Sequence, residues 1–313
     1  MKPAIIVLNL LILSQLGFTQ NKVSISIDDV PNTRLYEKDL YESPLLKKLN
    51  ALAIPIAIYI NEGNIYKTDS IRRNFELLSF WAKKDFVTLG NHSFNHSRYS
   101  QVGLDSFKLD IIKGESISSE LAKKYKKDLR HFRFPYNDLG KDSAQHVKIK
   151  QFLNKHDYQI SPFTIESSDW MYNRVYEYYL NQNNLARAKQ IGQAYVTITL
   201  EYFSFFEKFC QEQYGRSINH IYLCHDNKLN ADYLDQIVKE LKQKEYQFIS
   251  LDEALKDPVY KQKDSYYKKW GISWLYRWQK SQKDRIKYIK IEPSTKEIED
   301  LFKQINQNKN KTY

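Results

Sequence analysis

Cysteine is nearly absent from this 313-residue chain, with Cys210 and Cys224 the two present. Two thiols do not make a stapled scaffold, so stability must come from a hydrophobic core, which a chain of this length can build. Cys224 lies inside an apolar run and reads as a buried free thiol, although a disulfide with Cys210 stays open. Long hydrophobic runs are absent after residue 20, and the mean hydropathy is −0.63. That excludes a multispan membrane protein. Internal repeats and low-complexity linkers are missing too. Apolar residues at 42% and charged residues at 27% exclude a disordered chain.

Clustered basic charge is also lacking. The 48 Lys+Arg against 37 Asp+Glu leave a formal charge of +11, a balance that invites a nucleic-acid partner. Phosphate binding needs lysines and arginines gathered on one surface. Here they are spread along the chain in short groups such as Lys123, Lys124, Lys126 and Lys127, with acids between them. We therefore expect no nucleic-acid partner; an anionic cell-wall or polysaccharide surface suits the charge as well.

What the chain does have begins with a leader. Lys2 supplies a positive start, Ala4 to Leu13 is a short apolar core, and small residues follow near Gly17 and Thr19, with a cut expected before Gln20. Residues 1–20 thus read as a secretory signal, with an uncleaved anchor as the alternative. The apolar stretch falls short of the ~20 residues a spanning helix needs. The protein is expected to be exported, periplasmic or secreted, with no transmembrane span in its mature form.

Short β-rich runs alternate with amphipathic stretches. Strands are predicted at Val23–Ile27, Ile54–Ile60, Phe86–Leu89, His131–Phe134, Tyr158–Phe163, His220–Cys224 and Tyr246–Ser250. Helices are predicted at Ser43–Leu52, Asp69–Lys83, Ser106–Lys126 and Ala231–Gln243. The alternation argues for a parallel sheet covered by helices, closed or nearly closed into a barrel, with a doubly wound open sheet as the alternative. Residues 21–255 would form this domain, interrupted by a mostly helical insertion at 171–217. Residues 256–313 form a basic, aromatic extension. Within it Trp270, Trp274 and Trp278 recur every four residues, which reads as a helical stripe packed on the body; a platform for sugar rings is the functional alternative.

The chemistry-bearing residues cluster at the ends of the predicted strands. Asp28 and Asp29 follow the first, His92 and His96 the third, and Arg133 to Tyr136 end the fourth. Asp169 and Trp170 come after the fifth, and His225 and Asp226 end the sixth. In a parallel barrel these positions share one face. His92 and His96 are four apart, so one helical turn would bring both imidazoles to the same side. A carboxylate from Asp28 or Asp29 would complete a two-His, one-carboxylate metal site with open positions for water. A second carboxylate could then act as general base. His131, His146, His156 and His220 lack partners at metal spacing and read as core or surface histidines. Strand alternation turns Cys224 away from the face that carries His225.

The segments IDDVP (27–31), HSFNH (92–96), RFPY (133–136), SDW (168–170) and LCH (223–225) resemble, in order, the five motifs of the polysaccharide deacetylases. These form the NodB-homology domain, carbohydrate esterase family four. The resemblance covers roughly residues 22–255 and implies a distorted or incomplete (β/α)7-8 barrel. It implies Asp28 as general base, Asp29, His92 and His96 as metal ligands, and Arg133 holding Asp28 by an ion pair. The Tyr136 backbone N–H would stabilise the oxyanion, and Asp169 would tune a charged partner. Trp170 and Leu223 would line the pocket for the acyl methyl, and His225 would be the general acid. A divalent metal is implied, with zinc the default for such ligands. The implied substrate is an acetylated glycan: peptidoglycan, a chitin-like oligomer or an exopolysaccharide. N-deacetylation is the leading reaction. O-acetyl ester hydrolysis on the same site and a non-catalytic glycan-binding barrel are the alternatives. One departure stands out: the family usually has Gly after the two aspartates, and this chain has Val30. A β-branched residue resists positive φ, so the turn there has to use ordinary angles or carry strain.

Overall fold

The computed structural model describes residues 20–38 and 40–309, so the leader read at residues 1–20 lies outside them except for Gln20. Eight strands form one sheet: β1 (Lys22–Val30), β2 (Ile56–Ile60), β3 (Val87–Asn91), β4 (His131–Phe132), β5 (Gln159–Ile160), β6 (Ile165–Glu166), β7 (Asn219–His225) and β8 (Gln247–Phe248). Every pairing is parallel. The order is β5-β4-β3-β2-β1-β7-β6, with β8 added beside the start of β1.

The two ends of that path are close in sequence, and this makes the sheet a barrel. Ser161 N–H still donates to Phe132 O on the β4 side (2.8 Å), while Thr164 N–H donates to Ile221 O on the β7 side (2.9 Å). Three residues span at most about 11 Å, so the sheet must curl until its edges nearly meet. Pro162 sits in the gap and has no N–H to give a ladder. The predicted strand Tyr158–Phe163 is therefore corrected: it breaks after Ile160, and a short β6 follows that the sequence did not announce. The architecture is a parallel (β/α) barrel, distorted and left open between β5 and β6.

Local chemistry explains the covering helices. Ser43 caps helix Pro44–Leu52 by accepting from Leu46 N–H, and Pro44 occupies the first turn, where a missing N–H costs nothing. That helix buries Leu45, Leu46 and Leu49, and helix Ile71–Ala82 buries Leu77, Leu78 and Trp81. Each such side chain contributes about 1.5–3 kcal/mol when removed from water. The insertion forms helices Asp169–Asn181 and Leu185–Tyr214 between β6 and β7. The second runs about 45 Å at 1.5 Å per residue. It lies so close to helix Lys228–Gln243 that a Cβ on Gly192 would stand 2.1 Å from Tyr233 Cζ. No helix among the described residues is long and apolar enough to cross a membrane.

The C-terminal extension is not one helix. It contains a 3-10 turn Pro258–Lys261, a loop to Ser273, a single turn Trp274–Arg277, then helices Gln282–Ile289 and Lys296–Lys309. Ser273 Oγ donates to Thr164 O (2.7 Å) and Trp274 N–H donates to Phe163 O (3.0 Å). The extension thus covers the open seam between β5 and β6. The expected tryptophan stripe is corrected accordingly. Trp274 and Trp278 pack inward, whereas Trp270 lies in the loop and is 58% exposed.

Candidate active site

Adjacent residues of a regular strand point to opposite faces, yet Asp28 and Asp29 both reach the same imidazole. His92 Nε2 is 3.8 Å from Asp28 Oδ2 and 3.7 Å from Asp29 Oδ1. The register of β1 with β2 slips between Ile27 and Val30, and Asp29 has φ 64°. A bulge of this kind re-aims a side chain, and Asp tolerates the left-handed region better than most residues. This settles how Val30 is accommodated. The positive φ falls on Asp29; Val30 has none, pairs with Ile60, and is joined to Pro31 by a cis peptide bond.

The helical turn expected for His92 and His96 does not exist. Residues 92–98 form an irregular loop, with Ser93 at φ 62° and His96 at φ 55°. One near neighbour and one residue of the following helix hold it. Asn91 Oδ1 accepts from Ser93 N–H (2.7 Å), and Asp110 Oδ1 accepts from Asn95 N–H (2.9 Å). The loop still brings both rings to Asp29, with His96 Nε2 3.3 Å from Asp29 Oδ1.

Asp29, His92 and His96 offer one donor atom each, all within 4.8 Å of one another. Donors 2.0–2.1 Å from a tetrahedral ion stand about 3.3 Å apart, so the trio fits a divalent metal. The tautomer fits as well. His92 Nδ1 lies 2.8 Å from the carbonyl of Arg133 and must donate to it, which leaves the Nε2 lone pair facing the carboxylates. Burial pulls His92 and His96 down to about 4, against the upward pull of Asp29, so both rings are neutral at pH 7. Burial opposes ionisation of Asp29, but the imidazoles overcome it and its carboxyl sits at about 2.

Asp28 is almost fully buried, and its Oδ1 has no hydrogen-bond partner. Burial raises its carboxyl above the ordinary range, and the Arg133 guanidinium, 3.8 Å away, pulls back. Arg133 is itself wholly buried inside the barrel. It donates to Ser26 Oγ (3.1 Å) and Pro162 O (3.3 Å) and lies 4.4 Å from the centroid of the Tyr59 ring. Ser26 and Asp28 are two apart on β1 and share its inner face, so one guanidinium meets both. Tyr136 has φ 57°. Its ring is held between His96 (centroids 4.6 Å) and the Arg98 guanidinium (4.0 Å).

On the other side of the mouth, Asp169 opens the helix after β6 and His225 ends β7. Asp169 Oδ1 is 2.7 Å from His225 Nδ1, and Oδ2 accepts from His225 N–H (2.9 Å), Asn227 Nδ2 (3.0 Å) and Asn230 Nδ2 (2.6 Å). Asn230 is oriented in turn by Tyr195 OH, which donates to its Oδ1 (2.6 Å) from the inserted helix. Burial opposes charge on both partners, and their pairing overrides it. Asp169 lies below the usual carboxylate range, and His225 is raised to about 10.

All ten residues singled out in the sequence lie at this mouth, and eight of them line one cavity of about 820 Å³: Asp28, Asp29, His92, His96, Tyr136, Trp170, Leu223 and His225. Arg133 and Asp169 stand behind that wall and touch its lining. Sequence reasoning missed Glu166, which enters the cavity from the unannounced β6; burial pushes its carboxyl to about 7. It also assigned nothing to Asp226, which accepts from Tyr36 OH (2.6 Å) and Asn32 N–H (2.8 Å) and so pins the loop after Asp29. Asn227 and Asn230 were not singled out either; Asn227 caps helix Lys228–Gln243 by accepting from Asn230 N–H (2.8 Å). The remaining histidines are structural: His131, His146 and His220 are buried near Asp252, Asp264 and Glu207, and His156 is at the surface. Cys210 and Cys224 are buried and unpaired.

Residues 16–168 match the family described as polysaccharide deacetylase. That span holds the first three motifs and ends on the first residue of SDW. No curated protein matches the chain. Among solved structures, similarity extends to the Bc1960 peptidoglycan N-acetylglucosamine deacetylase, at 17% identity and TM-score 0.49 over 76% of this chain and 89% of that one. Peptidoglycan deacetylase PdaC from Bacillus subtilis is 17% identical, with TM-score 0.46 over 76% and 93% of the two chains. BA3943, a family-four pseudoenzyme from Bacillus anthracis, is 13% identical, with TM-score 0.49 over 76% and 66%. The family match over residues 16–168, with the five ordered motifs gathered at one barrel mouth, identifies the polysaccharide deacetylases of the NodB-homology type as the family this chain resembles.

Proposed function

We propose that this protein is an exported, metal-dependent hydrolase that removes acetyl groups from an acetamido-sugar glycan. The observation that carries the reading is the trio Asp29, His92 and His96, set between a buried carboxylate and a charged imidazole in one cavity. The motif at residues 1–20 supports export.

In this reading Asp29 Oδ1, His92 Nε2 and His96 Nε2 hold the ion, with zinc favoured by the donor set. Such an ion supplies a Lewis acid for the acyl oxygen and brings the pKa of a water down to about 7. The protein's own groups do the rest. Asp28, with its unpartnered Oδ1 held beside Arg133, takes the proton of the attacking water. The N–H of Tyr136 faces the developing oxyanion, a contribution of about 3–4 kcal/mol for one donor. His225, kept protonated by Asp169, gives its proton to the leaving nitrogen. Trp170 and Leu223 line the wall met by the acyl methyl. No group of the protein is acylated in this scheme.

The charged state of His225 favours the amide over the ester. An amine leaves only when protonated, and an alcohol needs that help less. The test is acetate release from N-acetylglucosamine oligomers and from acetylated peptidoglycan, before chelation, after chelation and after zinc is restored. Release that disappears with chelator and returns with zinc is the expected result. No release together with no zinc retained would reject the enzyme reading in favour of a binding protein.

A further inference from the structure

Trp270 is a feature of the cavity that the deacetylase motifs do not account for. It belongs to the C-terminal extension, outside all five motifs, yet it lines the same cavity as the metal-binding trio. Of the three tryptophans at four-residue spacing, Trp274 and Trp278 are buried while the Trp270 indole is 58% exposed. Large apolar faces left open to water inside a cavity mark ligand contacts more often than a scattered surface residue does.

The loop that carries Trp270 is anchored at both ends. Upstream, buried Asp264 accepts from Arg277 Nη2 (2.7 Å), and Ser265 N–H donates to Arg277 O (2.8 Å). Downstream, Ser273 and Trp274 bond to Thr164 and Phe163 across the barrel seam. Next to the indole, Gly271 lies so near the Tyr136 carbonyl that a Cβ there would stand 2.3 Å from its oxygen. The Trp270 backbone is thus registered against the loop that carries the proposed oxyanion donor. The ring itself meets the Lys269 ammonium, 4.9 Å from its centroid, and a side chain on an anchored backbone has only its own rotamers to lose when a ligand stacks on it.

The extension also supports the other aromatic wall. Phe302 of helix Lys296–Lys309 meets the Trp170 ring edge-on, with centroids 5.4 Å apart at 87°. Trp170, 49% exposed, follows β6, and Gly271, next to Trp270, packs on Tyr136 and Asn137 after β4. Both indoles line the one cavity. A pyranose ring presents an apolar face of C–H groups and a rim of hydroxyls. That face suits an indole by dispersion, and the rim suits polar neighbours such as Asn137 and Asn173, which line the same cavity.

We infer that Trp270 forms a second sugar subsite, on which a ring of the glycan adjacent to the acetylated one stacks, so that the C-terminal extension sets a preference for oligosaccharides over single sugars. This rests on the glycan-deacetylase reading above. The test compares wild type, Trp270→Ala and Trp270→Phe as full-length, zinc-loaded proteins on N-acetylglucosamine oligomers from dimer to pentamer. Acetate release and calorimetric binding are both followed. In wild type and Trp270→Phe, kcat/KM is expected to rise with length. In Trp270→Ala that rise is lost, leaving kcat/KM for the tetramer about tenfold lower, the equivalent of about 1.4 kcal/mol, with the loss in KM rather than kcat. An equal loss at every length, or a length dependence like that of wild type, overturns the subsite. If wild type binds the tetramer without releasing acetate, the deacetylase reading fails on this substrate. About tenfold weaker binding by Trp270→Ala then still supports the subsite. No binding by any of the three proteins overturns it.

Discussion

The Asp169–His225 pair makes a demand that one substitution can test. In Asp169→Asn, the amide oxygen can still accept from His225 Nδ1–H, but its NH2 then faces three donors: His225 N–H, Asn227 Nδ2 and Asn230 Nδ2. Turning the amide the other way leaves the imidazole without its acceptor. Either arrangement strands a buried donor, at a cost of about 1–3 kcal/mol in stability. The larger consequence is for charge. With Asp169 present, His225 is raised to about 10 and is a cation at neutral pH. Without it, burial is the strongest remaining influence and acts downward, so the imidazole falls to its free value of about 6.5 or below. At pH 8 the acid form then drops to about one molecule in thirty, and with it the rate of any step that needs this proton. A divalent cation on Asp29 lowers the starting value in both proteins alike, so the two are compared at one metal loading. The assay is kcat/KM for acetate release from pH 5 to 10, with thermal melting as the folding control. The alkaline limb is expected to move down by about three pH units. A folded Asp169→Asn whose alkaline limb coincides with that of wild type would refute His225 as the general acid.

Other substitutions separate the remaining roles. His92→Ala is expected to lose retained metal and turnover together, since two protein ligands do not hold a catalytic ion well; metal analysis after gel filtration checks this, and full activity without metal would reject the ligand set. Asp28→Asn should keep the metal and lose about 10²-fold or more in kcat, a general-base contribution. Loss of metal instead would exchange the roles of Asp28 and Asp29. Asp264→Asn leaves Arg277, which is wholly buried, without its carboxylate. We expect destabilisation of about 3 kcal/mol, at the lower end for breaking a buried pair, and earlier proteolytic cutting in residues 262–273. Urea midpoints unchanged from wild type would show that this anchor is dispensable.

Much of the site was legible because it is built from strand ends. An apolar run followed by Asp28–Asp29, or by His225, reports its own position, since a buried parallel strand and the loop after it are adjacent in sequence. The type of the residues was legible for the same reason: carboxylate, imidazole and guanidinium carry their chemistry wherever they are placed. Geometry was less so. The spacing of His92 and His96 suggested a helical turn, and the loop that replaces it depends on Asp110 from the following helix. Two consecutive aspartates gave no sign that a bulge would turn both inward. The strand carrying Glu166 is two residues long, too short for any periodicity to show.

The extension marks the boundary most clearly. A stripe of tryptophans at helical spacing reads as packing, and for Trp274 and Trp278 that is correct. Trp270 departs from the stripe because its loop is tied to Asp264, Thr164 and Tyr136, partners chosen by position in space and not by distance along the chain. The amino-acid sequence by itself determined which groups stand at the barrel mouth and what chemistry they can perform, because strand, turn and residue type are local properties. Tertiary structure alone decided that both carboxylates face one imidazole, that the barrel stays open between β5 and β6, and that the extension fills this seam and brings an indole to the cavity. Those outcomes depend on contacts between segments far apart in the chain, which no local pattern encodes.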